Sequence, residues 1–519
     1  MENSKISVFR KKLILFALAA IFVISACFIA VSSKEVLADD GTASQQTLDD
    51  FEHAVIGVQT GTTHEAIAKE RFPDAEIKNY TSSSDLVLSL QQGKIDGFVK
   101  NIFFYAVAKR DVAGLEVIPE AIESTQKGIA FNKSERGEEL KAQMDELLAE
   151  LQADGTLDEM YDVWMGETEP DVTLDFSTLT GENGTIKYVM CAEQKPFSYM
   201  KDGEYVGYDV ELMLRFCEKY GYELQIENVS FSSMVPGIVS GKYDVAAAGI
   251  DISPERAESV LFSEPYLENE VVMVVWGGES GGSFWDSLKD GFEKTFIREN
   301  RWQLILDGIG TTLLITALSA AAGTALGFGL YLLSRGGKKL ILGICAVYTR
   351  IIAGLPAVVL LMILFYVVFA RAAIDGVWVA SIGFALITGA FVYKNLALTV
   401  SGVDKGQTEG ALALGYTDKL AFFKIVLPQA MRQFMPAYQG EIVSLVKSTA
   451  IVGYIAVEDL TKVSDIIRSN TYEAFFPLIA TAIIYFLLTW IIALVIGRID
   501  MRFDWKRRKK SNILKGVKL

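Results

Sequence analysis

The chain is predicted to combine an α/β domain of two related lobes with an all-α domain that spans a membrane. A unit of apolar helix, glycine stop and strand occurs at 85–99 and again at 234–246, and this arrangement is typical of α/β proteins. Several later apolar segments are long enough to cross a hydrocarbon core of ~30 Å at ~1.5 Å per residue. The mean hydropathy of +0.29 is also too high for a purely soluble protein.

Charge is distributed unevenly along the chain. Up to Trp276 there are 23 basic and 47 acidic residues, whereas the remainder has 26 basic and 17 acidic residues. The sequence shows no uniformly basic stripe that would hold nucleic acid. The positive surplus of the second half is explained instead by the rule that basic residues stay on the cytoplasmic side of a membrane.

Residues 1–38 are predicted to be a secretory signal or a retained membrane anchor, because basic residues precede an apolar run over 13–31. Val36-Leu37-Ala38 suits signal peptidase, and residues 24–27 are similar to a lipoprotein box. Each alternative places the following domain outside the membrane.

The four cysteines show no metal-ligand spacing, so we predict no metal site, and we expect no cofactor. Cys191 and Cys217 either pair outside the cell or remain two buried thiols, and buried thiols are the favoured interpretation. The four are Cys27, Cys191, Cys217 and Cys345.

Five membrane spans are predicted in the second half. One of them, 442–457, is short and carries Lys447, but an exterior domain and an interior tail require an odd number of crossings. Basic residues of the first loop, the third loop and the tail then all fall on the cytoplasmic side. The predicted spans are 309–333, 340–370, 377–397, 442–457 and 475–495.

The segment 409–415, between the third and fourth spans, reads Glu-Gly-Ala-Leu-Ala-Leu-Gly. With the residues that follow, it resembles the EAA loop of ABC importer permeases, the cytoplasmic helix that docks onto an ATPase. Gly410 departs from the family pattern, which has alanine there. The residues that match the pattern are Glu409, Ala411, Gly415, Ile425 and Pro428.

The physical features of this segment agree with such a role. Small residues on one helical turn let another protein approach closely, Gly415 is expected to end the helix, and Pro428 to begin the next. The resemblance implies that Glu409, Ala411 and Gly415 couple to an ATPase. No Walker-type phosphate loop occurs in the sequence, so that ATPase is expected to be a separate subunit.

Residues 55–276 resemble periplasmic-type amino acid binding proteins. Segment 56–63 is similar to the opening of the second lobe of that family. Segment 187–276, with Gly-Tyr-Asp at 207–209 and Pro-Glu-Arg at 254–256, is similar to the first lobe. The resemblance implies a two-lobed clamshell, with the usual order of the lobes reversed.

The reversed order has two explanations. In a circular permutation, residues 135–166, which are similar to the closing helices of the family, pack on the lobe built from 187–276, and 167–184 joins the original ends. Alternatively, two tandem domains have each lost a half. We favour one permuted clamshell, because an isolated half would expose a sheet face to water. An exchange of lobes between protomers of a dimer stays open.

The binding domain is expected outside the plasma membrane, and the tail in the cytoplasm. The predicted segments are the signal or anchor (1–38), lobe two (47–134), the closing helices (135–166), a linker (167–184), the main part of lobe one (185–276), a linker leading into the membrane (277–304), the permease domain (305–498) and the basic tail (499–519).

The resemblance also assigns ligand-binding roles. Arg256 matches the arginine that forks onto the ligand carboxylate, a geometry that guanidinium provides. Phe231 matches an aromatic wall, and Asp251 falls where the ligand ammonium is bound. The candidates are Gln59, Thr62, Thr63, Lys100, Asn101, Cys191, Gln194, Phe231, Gly249, Asp251 and Arg256.

Two departures from the family make the ammonium depend on Asp251. Asn101 replaces the usual carboxylate of lobe two, and Cys191 replaces an acidic position after the first strand of lobe one. The Gly249 carbonyl and Asn101 are therefore expected to be neutral acceptors.

The remaining candidates suggest a polar ligand side chain. Gln194 and Gln59 form a hydrogen-bonding wall, and Thr62 and Thr63 supply donors from the other lobe. Lys100 disfavours a cationic ligand. Glutamine-like, cationic and sulfur-containing ligands stay open.

The predicted function is the combined receptor and channel subunit of an ATP-driven importer of polar amino acids, working as a homodimer with an ABC ATPase. The alternatives are a ligand-gated channel or an amino acid sensor built on the same clamshell. A channel would need a carbonyl-lined filter, which the sequence lacks. An enzyme is disfavoured because His53 and His64 are the only histidines and no catalytic set follows from spacing.

Overall fold

The computed structural model describes residues 46–503 except 113, 167, 169, 278–288, 371, 373 and 474, and it describes side chains up to residue 498. The predicted signal or anchor, with Cys27, and the basic tail from 504 onward lie outside the described residues. Within them, a mixed α/β part is followed by an all-helical part, as the sequence predicted.

The described residues of the α/β part contain fourteen strands, which fall into three sheets. They are β1 (Val55–Gln59), β2 (Glu76–Tyr80), β3 (Gly97–Asn101), β4 (Leu115–Val117), β5 (Glu123–Lys127), β6 (Ala130–Phe131), β7 (Thr185–Met190), β8 (Glu193–Gln194), β9 (Ser198–Lys201), β10 (Glu204–Val206), β11 (Glu223–Asn228), β12 (Val245–Ala246), β13 (Leu261–Phe262) and β14 (Leu267–Trp276).

Eight α-helices accompany these strands in the part of the chain that the structure describes. Each lobe is defined by the sheet on which it is built. Lobe two is built on the sheet β2-β1-β3-β14-β4, with β5 paired to β14, and lobe one on the sheet β11-β7-β12-β6-β13. The helices are α1 (His64–Arg71), α2 (Ser83–Gln91), α3 (Ile102–Asp111), α4 (Glu135–Ala153), α5 (Thr156–Met165), α6 (Tyr208–Tyr220), α7 (Phe231–Val239) and α8 (Pro254–Ser259).

The chain passes between the two sheets twice. It leaves lobe two after β5, adds β6 to the sheet of lobe one, and returns after β13 to place β14 in the sheet of lobe two. Strand β14 is antiparallel to β3 and β4, and β6 is antiparallel to β12 and β13. Strand β6, which falls in the range predicted for lobe two (47–134), therefore lies in the sheet of lobe one. Strand β14, which falls in the range predicted for lobe one (185–276), lies in the sheet of lobe two.

Helices α4 and α5 pack on lobe one. Leu140 and Met144 of α4 and Trp164 of α5 share one buried cluster with Tyr188 of β7. The indole of Trp164 donates a hydrogen bond of 2.7 Å to Glu211 in α6. The segment expected as a loose linker also contributes, because Leu174 is buried in the same cluster.

The helical part follows a connector after β14. Its helices are α9 (Arg301–Ser334), α10 (Lys339–Gly354), α11 (Ala357–Ile363), α12 (Gly376–Ser401), α13 (Lys405–Ala413), α14 (Asp418–Ala421), α15 (Leu427–Ser448), α16 (Leu460–Thr471) and α17 (Phe475–Phe503). Within the described residues, three helices are long and apolar enough to cross a membrane, or up to five if each of two bent pairs is one span.

The two bent pairs differ from the straight spans that the sequence predicted. The segment 340–370 is broken between α10 and α11, and the two pieces meet at 108°. Pro356 lacks an N–H and disfavours helical geometry at Leu355, which has extended φ and ψ angles. The fourth segment is longer than the predicted 442–457, because helical turns run from Asp418 to Ile455 before a 55° bend into α16.

Candidate ligand site and docking surfaces

A cleft of about 840 Å³ lies between the two lobes. Lobe two lines it with the start of α1 and the loop before it, and lobe one with the first turns of α7 and α8. Four of the predicted ligand residues line this cleft: Thr62, Thr63, Phe231 and Arg256.

Arg256 joins the two lobes at the cleft. Its guanidinium donates to the Asp251 carbonyl at 2.9 Å and to the Gly61 carbonyl, in lobe two, at 2.8 Å. The guanidinium carbon lies 5.8 Å from the centre of the Phe231 ring. Both acceptors are neutral, so the cation has no carboxylate partner among these contacts, which use two of its five N–H donors.

Asp251 is buried beside the cleft, and its carboxylate contacts three side chains. It accepts hydrogen bonds from Thr63 at 2.7 Å and Thr125 at 2.9 Å, and it forms an ion pair with Lys127 at 2.5 Å. Burial opposes ionisation, yet the Lys127 ammonium and these hydrogen bonds hold the pKa of Asp251 well below its usual range. The expected partner of a ligand ammonium is thus already paired within the protein.

Gln59 is the centre of a second buried cluster. Its side-chain oxygen accepts from the Lys100 ammonium at 2.5 Å, from Ser83 at 3.2 Å and, across the lobes, from Gln194 at 3.3 Å. Burial and the nearby Lys127 lower the pKa of Lys100 to about 7. Three predicted site residues, Gln59, Lys100 and Gln194, are therefore brought together.

Asn101 and Cys191 are buried in the protein interior, and Thr62, which lines the cleft, uses its hydroxyl in a contact within lobe two. The side-chain oxygen of Asn101 accepts from the Phe104 N–H at 2.7 Å and caps α3, instead of standing free for a ligand. Cys191 is buried and burial raises the pKa of its thiol to about 11. The Thr62 hydroxyl donates to the Gln59 carbonyl at 2.7 Å.

Cys191 and Cys217 are both buried free thiols, as the sequence predicted.

Gly249 is required by a close approach of the backbone to an aromatic ring. Its φ is +63°, and a Cβ there would lie 2.5 Å from the ring of Phe197. Its N–H donates to the buried Asp209 carboxylate at 2.6 Å. Only glycine adopts this positive φ without strain and leaves room for the Phe197 ring, so the backbone can continue to Asp251 along this path.

Sequence reasoning missed two residues of the site. Lys127 is the last residue of β5, where the chain leaves lobe two. The signal in the sequence is the run Gly-Ile-Ala-Phe at 128–131, which directly follows this lysine and is buried. His64 is 2% exposed, and neither ring nitrogen has a hydrogen-bond partner. Burial lowers the pKa of His64 to about 3, so the imidazole is neutral. His64 directly follows the predicted Thr63.

Helix α16, which we call the contact helix, ties the lobes to the membrane part. Lys462 pairs with Glu193 of lobe one at 2.8 Å, with both side chains less than a tenth exposed. Arg468 pairs with Asp85 of lobe two. Asn470 donates to the Met200 carbonyl at 2.7 Å. One helix of the membrane part therefore contacts both lobes.

The residue before the contact helix and a small cavity extend this surface. Glu458 accepts hydrogen bonds of 2.7 Å from both Tyr205 and Asn228 of lobe one. A cavity of about 130 Å³ lies where the lobes meet the membrane helices. Its walls come from lobe two (Thr81, Ser82), lobe one (Glu193, Ser230) and the membrane part (Ala450, Gly453, Tyr454, Thr461, Lys462, Asp465).

Helix α13, which we call the loop helix, is mostly exposed. Glu409 is exposed, Ala411 is 2% exposed, and the helix ends at Ala413, followed by Gly415 at φ +86°. The structure thus confirms that the helix stops at this glycine. Leu412 is 47% and Leu414 80% exposed. Pro428 lies in the first turn of α15, as expected.

Comparison with known proteins identifies both parts of the chain. Residues 186–425 match the bacterial extracellular solute-binding proteins, family 3. The arginine transport system permease protein ArtQ of Bacillus subtilis (strain 168) is 31% identical over 210 residues, which are 40% of this chain and 93% of ArtQ. The chain belongs to the amino acid ABC transporter permeases. It is a permease with a fused solute-binding domain.

This fused permease is also similar to a glutamine transport permease and to a solved amino acid transporter. The putative glutamine transport system permease protein GlnP of Rickettsia felis is 30% identical over 203 residues, 38% of this chain and 92% of GlnP. A crystal structure described as an amino acid ABC transporter with histidines covers 43% of this chain and 99% of its own, at 28% identity and a TM-score of 0.37.

The solute-binding match does not coincide with the folded lobes. It runs past Trp276 into α9 to α14, which are helices of the membrane part, and it leaves out strands β1 to β6. The hydrogen-bonded sheets instead join β1 to β5 with β14 in lobe two and place β6 in lobe one.

Proposed function

We propose that this permease is the substrate-binding and membrane-spanning subunit of an ATP-driven importer of polar amino acids. The lobes capture the ligand outside the cell, and the contact helix transmits their closure to the membrane helices. The loop helix, with Glu409, Ala411 and Gly415, couples the membrane part to a separate ABC ATPase. The observation that carries this proposal is the contact helix, which pairs with both lobes at once.

The contact helix is suited to distinguish closed from open lobes. Its two ion pairs end on different lobes, so both form together only when the lobes have one relative position. The closed lobes then make contacts with the contact helix that open lobes lack. A ligand that closes the lobes can therefore shift the equilibrium between the two conformations of the membrane part. The 130 Å³ cavity beside Lys462 lies on the path from the lobes to the membrane helices.

We further propose that the lobes form one circularly permuted clamshell. The two crossings of the chain between the sheets support this, because β14, which follows lobe one in the chain, completes the sheet of lobe two. The packing of α4 and α5 on lobe one also supports it. Pairing of the lobes within one chain, and not by exchange between protomers, is part of this proposal.

Orientation and stoichiometry follow from the same proposal. The contact helix lies on the side of the lobes, and the loop helix is one crossing away along the chain, next to basic residues that favour the cytoplasm. The binding domain is therefore placed outside the plasma membrane and the loop helix inside. Each chain carries one permease unit, and a homodimer supplies the two halves of a channel.

The test is ATP-dependent uptake by the full chain. The chain is co-purified with its ATPase, reconstituted in vesicles that contain ATP, and assayed with radiolabelled amino acids, with a non-hydrolysable ATP analogue as the control. Accumulation against a gradient is expected only with ATP. Ligand-evoked current without nucleotide, and no accumulation, would instead indicate a channel.

The role of Asp251 gives a second test of the site. Asp251→Asn is expected to weaken amino acid binding to the full chain by ~2 kcal/mol or more, because it removes the carboxylate that receives the ligand ammonium. Isothermal titration calorimetry measures this, with the exposed cleft residue Glu255→Gln as a matched control. An unchanged affinity in Asp251→Asn would remove this residue from the site.

A further inference from the structure

Two buried lysines lie in the interior between the lobes, and only one of them has a carboxylate among its hydrogen-bond contacts. Lys100 and Lys127 are each 1% exposed, whereas Arg256 is half-buried at the cleft. The only carboxylate in these contacts is Asp251, which pairs with Lys127. The buried Asp209 carboxylate is held by the Gly249 N–H and the Tyr266 hydroxyl. The glutamates of the cleft, among them Glu65, Glu70, Glu123 and Glu255, stand at its water-exposed wall.

Lys100 and Arg256 are held by neutral oxygens. The contact of Lys100 is the side-chain oxygen of Gln59, and the contacts of Arg256 are backbone carbonyls. A buried cation that lacks an anionic partner is costly, so this arrangement favours a ligand that brings negative charge. Glu193, the next carboxylate, is already paired with Lys462 of the contact helix.

The ammonium of Lys127 occupies the position beside Asp251 that is expected for the ammonium of the ligand. The Lys127 ammonium lies 2.5 Å from the carboxylate that an amino acid ammonium would use. When the ligand ammonium takes this position, the Lys127 ammonium loses its partner and needs another anion. A monocarboxylic amino acid has one carboxylate, and Arg256 receives it.

His64 adds an unsatisfied polar group at the same place. Its two ring nitrogens are buried without partners, and the charges that act on it are those of Asp251, Lys100, Lys127 and Arg256. Buried polar atoms are normally hydrogen-bonded. An unpartnered imidazole among these side chains therefore indicates that a ligand completes the site.

We propose that the site between the lobes takes an amino acid with a second carboxylate, such as glutamate or aspartate, with Lys100 and Lys127 as its counter-charges. This inference rests on the proposed importer function. Arg256 binds the α-carboxylate and Asp251 the ammonium, while the neutral His64 donates a hydrogen bond. Lys100 and Lys127 are then the residues that select the side chain.

The pKa of Lys100 gives an independent signature. Free Lys100 titrates near pH 7 because of burial and of Lys127, with Asp251, Cys191 and Glu193 as the other charged or titratable groups that act on it. A bound carboxylate raises that pKa, so binding takes up a proton. Affinity for a dicarboxylic ligand is therefore fully present below pH 7 and falls as pH rises through the pKa of the complex.

Calorimetry on the full chain in lipid nanodiscs tests the proposal with glutamate, aspartate, glutamine, asparagine and arginine as probes. The acidic ligands are expected to bind at least about tenfold more tightly than their amides. Repeating the titration at pH 7.5 in buffers of different ionisation enthalpy should reveal proton uptake with glutamate. This second measurement uses the unmodified protein and does not depend on the folding of a variant.

Variants then locate the selectivity. Lys127→Gln is expected to weaken glutamate binding at least tenfold while glutamine binding is unchanged or tighter, because Asp251 becomes free for the ammonium. Lys100→Gln should lose the proton uptake. Lys94→Gln, an exposed lysine of the same lobe, is the control and should change neither property.

The outcomes separate this inference from the importer function. If glutamine, asparagine or arginine binds as tightly as the acidic ligands, the dicarboxylate proposal is wrong and the importer proposal stands. If none of the five amino acids binds and vesicles accumulate none, the importer proposal itself is wrong.

Discussion

The contact helix and the loop helix lie between membrane helices, yet their surfaces differ. The contact helix is almost wholly buried, with Lys462, Arg468 and Asn470 each engaged by a lobe of the same chain. The loop helix exposes Glu409 and leaves Leu414 80% exposed. The contact helix has its partner, the two lobes, on the same chain. The loop helix is expected to bind another polypeptide, since large exposed apolar side chains in a group mark an interaction surface.

The largest effect is expected from Lys462→Glu in the contact helix. Reversing one charge of a buried pair leaves two carboxylates together and costs ~3–5 kcal/mol, so ligand-stimulated ATP hydrolysis is expected to fall by more than about a hundredfold. The double variant Lys462→Glu with Glu193→Lys should recover most of the activity. Lys78→Glu, at a surface pair with Glu76 that is 40% exposed on the lysine side, is the control and should cost little. Failure of the double variant to recover would argue against direct pairing.

A smaller effect is expected from Glu409→Lys in the loop helix. Because this side chain is exposed and contacts no lobe, amino acid affinity should stay unchanged, while ATP-driven uptake falls at least about tenfold through loss of one charged contact with the ATPase. Co-purification of the ATPase and vesicle uptake measure the two steps. Lys419→Gln, exposed in the same loop, serves as the control. Normal uptake by Glu409→Lys would place the docking surface elsewhere.

The smallest effect is expected from Gly415→Ala. At φ +86° alanine is strained by ~1 kcal/mol, but nothing lies within 4 Å of the added Cβ. Uptake should therefore decrease only several-fold, and Gly415→Asn, which tolerates this conformation better, should decrease it less. If both variants transport normally, the turn after the loop helix does not need its present geometry.

The sequence predicted the features of these surfaces that depend on local residues. Gly415 ended the loop helix as expected, since a glycine stop is a local property. Gly354-Leu355-Pro356 resembles a turn of a small residue and proline that is common in the family, but 340–370 was predicted as one span and the 108° bend was not. The contact helix lies between the predicted fourth and fifth spans, where an exterior loop was expected, although the apolar spacing of Val463, Ile466 and Ile467 indicated a helix.

The site between the lobes was predictable only in part, because its charges come together from distant segments. Arg256 and Phe231 were found together at the cleft, as the resemblance implied. Lys127 was missed because it is 124 residues from Asp251 in the chain. Asn101 was assigned to the ligand although its place at the first turn of α3 also suits a helix cap. Pairings of this kind depend on the fold and not on the local pattern.

Strand β14 ends at Trp276, and the membrane part begins within a few dozen residues, so the receptor cannot diffuse away from its channel. A short tether of this kind corresponds to an effective concentration on the order of millimolar. Docking at the contact helix then needs only weak intrinsic affinity, and polar contacts that exchange rapidly are sufficient. In the proposed importer, the receptor releases its cargo and reopens many times without leaving the complex, which a freely diffusing receptor of equally weak affinity could not sustain.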